Sequence, residues 1–505
     1  SIGIASLDAN TTGSTNTAVG KNSLSANTTA SNNTAVGRDA MIANTTGASN
    51  TAVGALALDA NTTGTENVAV GYGTLGANTT GIDNTAIGAS ALTYNTTGSH
   101  NSGLSRATLV NNTTGSYNTA AGKSALQSNT TGTSNVAIGL DALFTNTTGS
   151  SNTATGKNAL RYNATGRFNT AIGADSLYTN TTGEDNVAVG LNALYYNTTA
   201  SNNTAVGRSA LQDNTTGANN TATGFYSLEA NTTGTQNSAV GSYALALNTT
   251  GGYNIALGVN SLYYNTAGSY NTGLGVSALQ SNTTGDNNTA SGHAASYSNT
   301  TGGQNTSSGY KALYFNTTGS DNTAFGKDAL KANTTASNNT AVGRNALYAN
   351  TTGADNVAVG LSTLYYNTTG HSNTAVGKDA LQSNTTGTSN TGTGYRAGLG
   401  VTTGYSNTLI GYRAGYYSTD ITTGTKNVIV GAYSRASSAT AIAAIGIGYD
   451  INAGAGYTTV GQSSSDIRAA HGVATWNTVS DERYKKDIVD STAGLSFVNA
   501  LQPRT

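Results

Sequence analysis

The stretch Asn16–Gly20, NTAVG in one-letter code, decides the fold, because it returns at a fixed interval along most of the 505-residue chain. The same string begins again at Asn33 and Asn50, and the same 17-residue step reaches an Asn every time as far as Asn407. The register therefore holds 24 copies without an insertion or deletion. A constant period indicates a protein built by stacking one small unit on the next.

We number the positions of this repeat 1–17, with Asn16 at position 1. Position 2 is mostly β-branched and position 4 mostly aliphatic, as in Thr17 and Val19, and this favours a short β-strand. Position 3 is nearly always Ala, as in Ala18, which predicts a close backbone neighbour, and position 9 is nearly always Leu, which predicts a ladder of Leu side chains. Position 5 is Gly except at Ser105, which indicates a corner with unusual dihedral angles.

Positions 12–15 usually read Asn-Thr-Thr-Gly, a combination typical of a turn. The return of this motif in every repeat excludes a long helix, and a unit of this length is too small to form a core alone. Stacked coils fit the pattern, since equivalent positions would then lie about 4.8 Å apart and the Asn side chains would form amide ladders. The sequence therefore predicts an all-β protein, a β-solenoid of 17-residue coils.

The composition excludes several kinds of site. The chain has no Cys, so no disulfide and no cysteine-based metal or redox site can form. Charged residues make up 9 % and the net charge is −1, so no basic footprint for nucleic acid is present. No apolar run reaches the roughly 20 residues of a membrane-inserting helix. The four His residues lack metal-ligand spacing. We expect no metal and no cofactor.

The repeat, NTAVG followed by a small-Leu pair and a Gly turn, resembles the head repeats of trimeric autotransporter adhesins. The resemblance covers residues 1–431 and implies a left-handed parallel β-roll in a homotrimer. Because such a thin coil has little core, we expect the Ala18–Val19 face to be buried against two sister chains. A single-chain prism remains an alternative, because the 17-residue coil approaches the 18-residue coil of a triangular β-helix.

The regular register ends near the C-terminus. Asn427 follows Asn407 at a longer interval than the repeat period, and residues 432–475 form an Ala/Gly-rich transition region. Charge is then concentrated in Trp476–Ile488, WNTVSDERYKKDI, and residues 494–503 read GLSFVNALQP. These two strings closely resemble the start of the endosialidase-type intramolecular chaperone domain, found at the C-terminus of many bacteriophage tail fibres and tailspikes. Residues 476–505 would be the first part of that domain.

This second resemblance implies that the chaperone assembles three chains and is then removed by autoproteolysis. Carried onto this chain, the cleaved bond is Val479–Ser480, with Ser480 as nucleophile and Lys485 as its activating base, in the intact precursor only. The alternative is purely structural, because Ser480 followed by two acidic residues is also a good helix N-cap and Lys485 would then be a solvated charge.

Two other surface patterns have alternative interpretations. Many of the 28 Tyr residues follow the Leu position, as in Tyr195 and Tyr196, and could either stack on sugars or pack at a groove between chains. The Thr residues of the Asn-Thr-Thr-Gly motif are reminiscent of ice-binding solenoids, but their place in a turn disfavours that function. No pair of carboxylates marks a glycosidase site.

The sequence therefore predicts a structural protein, the trimeric shaft of a phage tail fibre or spike used in host attachment. Its partners would be two further copies, other virion tail proteins and a host-surface glycan or protein, with no nucleic acid and no membrane insertion. The expected location is the virion or an extracellular surface. The alternatives are a bacterial cell-surface trimeric adhesin and a polysaccharide-degrading tailspike. Enzyme activity is not expected of the repeats.

Overall fold

The computed structural model describes residues 1–416, 418–473, 475 and 477–479, the last three by their backbone alone. Within these ranges the chain is all-β and contains no helix, so none that has the length and hydropathy of a membrane crossing. The chain divides into two units, residues 1–320 and 321–505.

The first unit is a stack of three-residue strands, one in each repeat. They are β1 Thr17–Val19, β2 Thr34–Val36, β3 Thr51–Val53, β4 Val68–Val70, β5 Thr85–Ile87, β6 Ser102–Leu104, β7 Thr119–Ala121, β8 Val136–Ile138, β9 Thr153–Thr155, β10 Thr170–Ile172, β11 Val187–Val189, β12 Thr204–Val206, β13 Thr221–Thr223, β14 Ser238–Val240, β15 Ile255–Leu257, β16 Thr272–Leu274, β17 Thr289–Ser291 and β18 Thr306–Ser308.

Successive strands pair in parallel and in register, with equivalent residues of neighbouring repeats opposite each other, as in Ala18 opposite Ala35. The stacking extends beyond the strands, because the amide of Leu24 donates to the carbonyl of Ala40 at 3.0 Å and that of Thr45 to the carbonyl of Thr62 at 3.0 Å. Each 17-residue repeat is thus one coil of a parallel β-solenoid, which confirms the predicted fold class.

The interior of each coil is narrow and filled by three positions. Position 3 (Ala), position 8 (Ala, Ser or Thr) and position 9 (Leu) are buried, and the Leu residues form the predicted ladder, as in Leu126, Leu143 and Leu160. A Cβ built on Gly103, at position 3, would lie 2.8 Å from Oγ1 of Thr108 on the opposite wall of the same coil. The predicted close neighbour of position 3 is therefore the chain itself.

This arrangement corrects the expected role of the Ala18–Val19 pair. Because side chains alternate along a strand, the two residues point to opposite sides, and they cannot form one face. Ala18 is fully buried inside its own coil, whereas Val19 and Thr17 point outward. If the strand contacts sister chains, it does so through positions 2 and 4, without position 3.

Two ladders of buried Asn side chains provide hydrogen bonds to the turn at positions 12–15. At position 12, Nδ2 of Asn61 donates to Oδ1 of Asn44 at 2.8 Å and to the carbonyl of Gly64 at 3.0 Å. At position 1, Nδ2 of Asn50 donates to the same Gly64 carbonyl at 2.9 Å, and its Oδ1 accepts the amide of Asn67 at 3.0 Å. Since buried polar groups are costly when unpaired, these ladders explain why Asn recurs at both positions.

Position 5 is the predicted corner. Its Gly residues adopt φ between 123° and 143° from Gly3 to Gly309, and a Cβ on Gly122 would lie 2.5 Å from the carbonyl oxygen of Gly139. Ser105 adopts the same conformation, with φ of 136°. The Leu at position 9 has a positive φ as well, for example 51° at Leu126, which the sequence did not predict.

The second unit begins with strands β19 Thr323–Phe325, β20 Thr340–Val342, β21 Val357–Val359, β22 Thr374–Val376, β23 Thr391–Thr393, β24 Thr408–Ile410 and β25 Val428–Val430. It continues with β26 Arg435–Ala436, β27 Ile445–Tyr449, β28 Asn452–Ala453, β29 Tyr457–Gln462, β30 Ser465–Ala470 and β31 Asn477–Val479.

Coil length changes near the end of this unit. Thr408 pairs with Val428, which makes that coil longer than the regular one, and Ile445 pairs with Thr458, which makes a later coil shorter. The parallel stack therefore continues beyond residue 431 into the Ala/Gly-rich region. It ends in an antiparallel arrangement, in which β29 pairs with β30 and β30 with β31.

Candidate functional site

The outward side of β1–β18, formed by positions 2 and 4, is here called the outer strand face. It carries Thr, Ser, Val, Ile, Leu and Ala and not a single charged residue. Its larger side chains are partly exposed, reaching 43 % at Ile172 and 51 % at Leu257. A long uncharged face that includes exposed apolar side chains is typical of an interaction surface.

Charge is segregated on the two sides of this face. Position 6, which follows the strand, carries Lys21, Arg38, Arg106, Lys123, Lys157 and Arg208 in the first unit and no acidic residue. Position 17, which precedes the strand, carries Glu66, Asp83 and Asp185 and no Lys or Arg. The outer strand face therefore lies between position 6, here called the basic flank, and position 17, here called the acidic flank. Position 7, next to the basic flank, also carries Asp39, Asp141 and Asp175, and Asp39 pairs with Arg38.

Positions 10 and 11 form a second feature, here called the aromatic stripe. Rings in successive coils stack face to face, as between Tyr178 and Tyr195, whose centroids lie 4.8 Å apart, and between Tyr297 and Tyr314, at 5.1 Å. Rings at the two positions of one coil meet edge to face, as Tyr195 and Tyr196 do, and rings at position 11 remain partly exposed, with Tyr196 at 47 %. The prediction that Tyr lines one edge of the coils is confirmed, whereas sugar binding by it stays a prediction.

Several coils carry no aromatic residue at positions 10 and 11, and in one of them Gly73 and Gly76 stand where other coils place larger side chains. A groove of about 490 Å³ opens there, and we call it the Tyr72–Tyr94 groove after the two rings that line it. Tyr72 is 60 % exposed and Tyr94 55 %, and neither ring stacks on another aromatic side chain of the described residues. Asp59, Ser90 and Thr93 supply polar groups to the lining.

Two carboxylates that the sequence did not single out lie in consecutive coils at the stripe. Burial raises the pKa of Asp213, and burial together with the charge of Asp213 raises the pKa of Glu229. These two carboxylates could have been recognised in the sequence, because positions 10 and 11 of the other coils carry mainly uncharged residues.

The His residues take part in surface contacts. His100 Nδ1 lies 3.5 Å from Oδ2 of Asp83, and its ring stacks on Tyr117 with centroids 4.8 Å apart. His293 stacks on Tyr310. No group of three His, Cys, Asp or Glu side chains able to hold a metal ion occurs among the described residues.

The predicted autocleavage residues, Ser480 and Lys485, lie outside the described residues. The backbone of the preceding residue, Val479, ends strand β31 and pairs with Asp466 of β30.

Comparisons with known proteins return no relative. No protein-family model matches the chain, and searches among curated proteins and among solved structures find no match either.

Proposed function

We propose that the chain is the structural shaft of a fibre, and that three parallel copies associate through the outer strand face. The observation that carries this proposal is the absence of any charge from positions 2 and 4 over β1–β18, between flanks of opposite sign. A surface that stays exposed to solvent has no physical reason to exclude charged residues.

The size of the face supports association. Eighteen strands spaced by about 4.8 Å extend over roughly 80 Å, and three residues span about 10 Å. In a trimer this face of about 800 Å² is shared between two neighbours, so the total area that each copy buries is similar to one partner's share of a protein interface of standard size.

The charge pattern favours a cyclic, parallel arrangement. When copies run in the same direction around an axis, the basic flank of one meets the acidic flank of the next, because such an interface is heterologous. In an antiparallel pair related by a twofold axis, like flanks would face each other and repel. This argument supports the homotrimer over an antiparallel dimer.

Placement in a phage tail fibre or spike rests on the resemblance of Trp476–Ile488 to the start of the self-cleaving chaperone. In this proposal the shaft carries parts that attach to the host, and the mature chain ends at Val479. The test is the mass of the longer precursor after expression, beside its Ser480→Ala variant. A product ending at Val479 in the wild type alone supports the proposal, whereas two uncut products contradict it.

The association of three copies is tested by placing charges on the outer strand face. The double variant Val189→Glu with Val206→Glu adds two charges to the outer strand face, and light scattering after gel filtration gives its mass. The matched control places the same charges in the same region at exposed position 14, as Thr199→Glu with Thr216→Glu. We expect the control to keep three times 50.5 kDa and the face variant to fall towards 50.5 kDa. A monomeric unmodified chain would contradict the proposal and favour the single-chain prism.

A further inference from the structure

The Tyr72–Tyr94 groove departs from the repeat in a way that the stacking of coils does not require. Position 10 carries Tyr at 178 and 195 and position 11 carries Tyr at 162 and 196, so the coils accept large rings at both positions. Between Tyr72 and Tyr94 the same positions hold Gly76 and Ala77, and position 7 holds Gly73. Ala77 is ordinary, because position 11 is also Ala in the preceding coils, so the departure consists of Gly73 and Gly76. The groove lies wholly within the first unit.

Asp59 gives this groove its charge. Its carboxylate is half-buried, and it makes no ion pair with any described residue, unlike the nearby Asp39, which pairs with Arg38 at 3.2 Å. The described residues that line the groove include no Lys, Arg or His. Burial raises the pKa of Asp59, hydrogen bonds from the backbone amides of Asp59 and Ala60 oppose this rise, and the charge of Asp39 adds a smaller increase.

Elsewhere in the chain, a cationic side chain lies beside a carboxylate and an aromatic ring. In the second unit, Nζ of Lys331 lies 3.2 Å from Oδ1 of Asp328 and 5.2 Å from the ring centroid of Tyr348. Arg396 is held in the same way, with Nε 3.4 Å from Asp379 and the guanidinium 5.1 Å from the ring of Tyr395. In both places a side-chain cation satisfies a carboxylate and lies near an aromatic ring.

We propose that the Tyr72–Tyr94 groove binds an organic ammonium ion, held by the carboxylate of Asp59 and the rings of Tyr72 and Tyr94. The groove volume of about 490 Å³ lies within the usual range of small-ligand sites. The hydroxyls of Ser90 and Thr93 add hydrogen-bonding groups to the lining. A neutral sugar can donate hydroxyl groups to Asp59 but does not neutralise its charge as an ammonium ion does, and an anion would be repelled by it. This site is independent of the proposed fibre function.

The experiment measures choline binding to the whole chain by calorimetry, with glucose as the neutral probe. We expect choline to bind, glucose not to bind, and Asp59→Asn to weaken choline binding about tenfold, because the substitution removes the attraction between the carboxylate and the quaternary ammonium. Asp213→Asn is the matched control, because it removes another half-buried carboxylate of the same surface, and it should leave choline binding unchanged.

A second variant fills the groove and keeps the carboxylate of Asp59. Gly76→Tyr places at position 10 the residue that this position carries at 178 and 195. A Cβ at Gly76 lies 3.3 Å from Oδ1 of Asp59, so only a small shift is needed. Choline binding should be lost while the circular dichroism spectrum stays unchanged.

Three results would overturn the proposal: no choline binding, equal binding of glucose, or choline binding that survives both Asp59→Asn and Gly76→Tyr. A monomeric chain that binds choline would refute the fibre function and leave the groove assignment intact. A trimer that does not bind choline would refute the groove assignment and leave the fibre function intact.

Discussion

Ser105→Gly is expected to stabilise the coil that contains it. Ser105 occupies the corner position with φ of 136°, a conformation open almost only to Gly, and such strain costs about 1–3 kcal/mol. Replacing Ser by Gly also raises the conformational entropy of the unfolded chain, and this reduces the gain in stability by about 0.4–1 kcal/mol. The net effect is a stabilisation of about 0–2.6 kcal/mol.

The assay is hydrogen exchange followed by mass spectrometry on peptides that cover this coil, because a repeat protein opens locally. A gain of about 1.4 kcal/mol corresponds to exchange about tenfold slower. The control, Ser128→Gly, lies on position 11 with ordinary backbone angles and should speed exchange. Faster exchange in Ser105→Gly, or equal effects of the two variants, would refute the argument from strain.

Three further outcomes are expected. Asn129→Ala removes bonds to Oδ1 of Asn112 (2.7 Å) and to the carbonyl of Gly132 (3.0 Å), so local unfolding should become easier by about 2–4 kcal/mol in the same exchange assay. Leu126→Ala leaves a cavity in the Leu ladder and should cost about 2–5 kcal/mol, measured likewise. Burial raises the pKa of Asp213 above its ordinary 3.8, so this coil should lose stability as pH rises through the raised pKa, and exchange in Asp213→Asn should lack that pH dependence.

The coil, the strand and the Leu ladder could be predicted because one period fixes which residues are neighbours. Once Asn16 and Asn33 are equivalent, parallel in-register pairing of Thr17 with Thr34 follows from stacking alone. The amide ladders followed from the same equivalence. These features depend on register rather than on three-dimensional packing.

The direction of the strand's side chains could not be inferred in this way. The sequence suggested that Ala18 and Val19 share a face, yet the interior of the coil is so narrow that only a small side chain such as Ala fits beside Leu at position 9. The positive φ of the Leu residues was missed as well, because an aliphatic side chain rarely adopts it and no residue type signals it.

The Tyr72–Tyr94 groove could have been found from the sequence by listing what each position usually carries. Gly73 and Gly76 stand where other coils place larger residues, and Asp59 stands at a position that is aromatic in many coils. The described residues that line the groove include no cation, and this follows only from the three-dimensional structure, which shows which side chains surround the groove.

The most direct test of the proposed shaft uses the absence of Cys from the sequence, since one introduced thiol is unique in each chain. Nitroxide labels on Val189→Cys, on the outer strand face, and on Thr199→Cys, on an exposed turn, report distances between equivalent sites by pulsed electron paramagnetic resonance. Three copies joined through the outer strand face should give a shorter distance at 189 than at 199. No dipolar signal at either site, or a shorter distance at 199, would contradict the account.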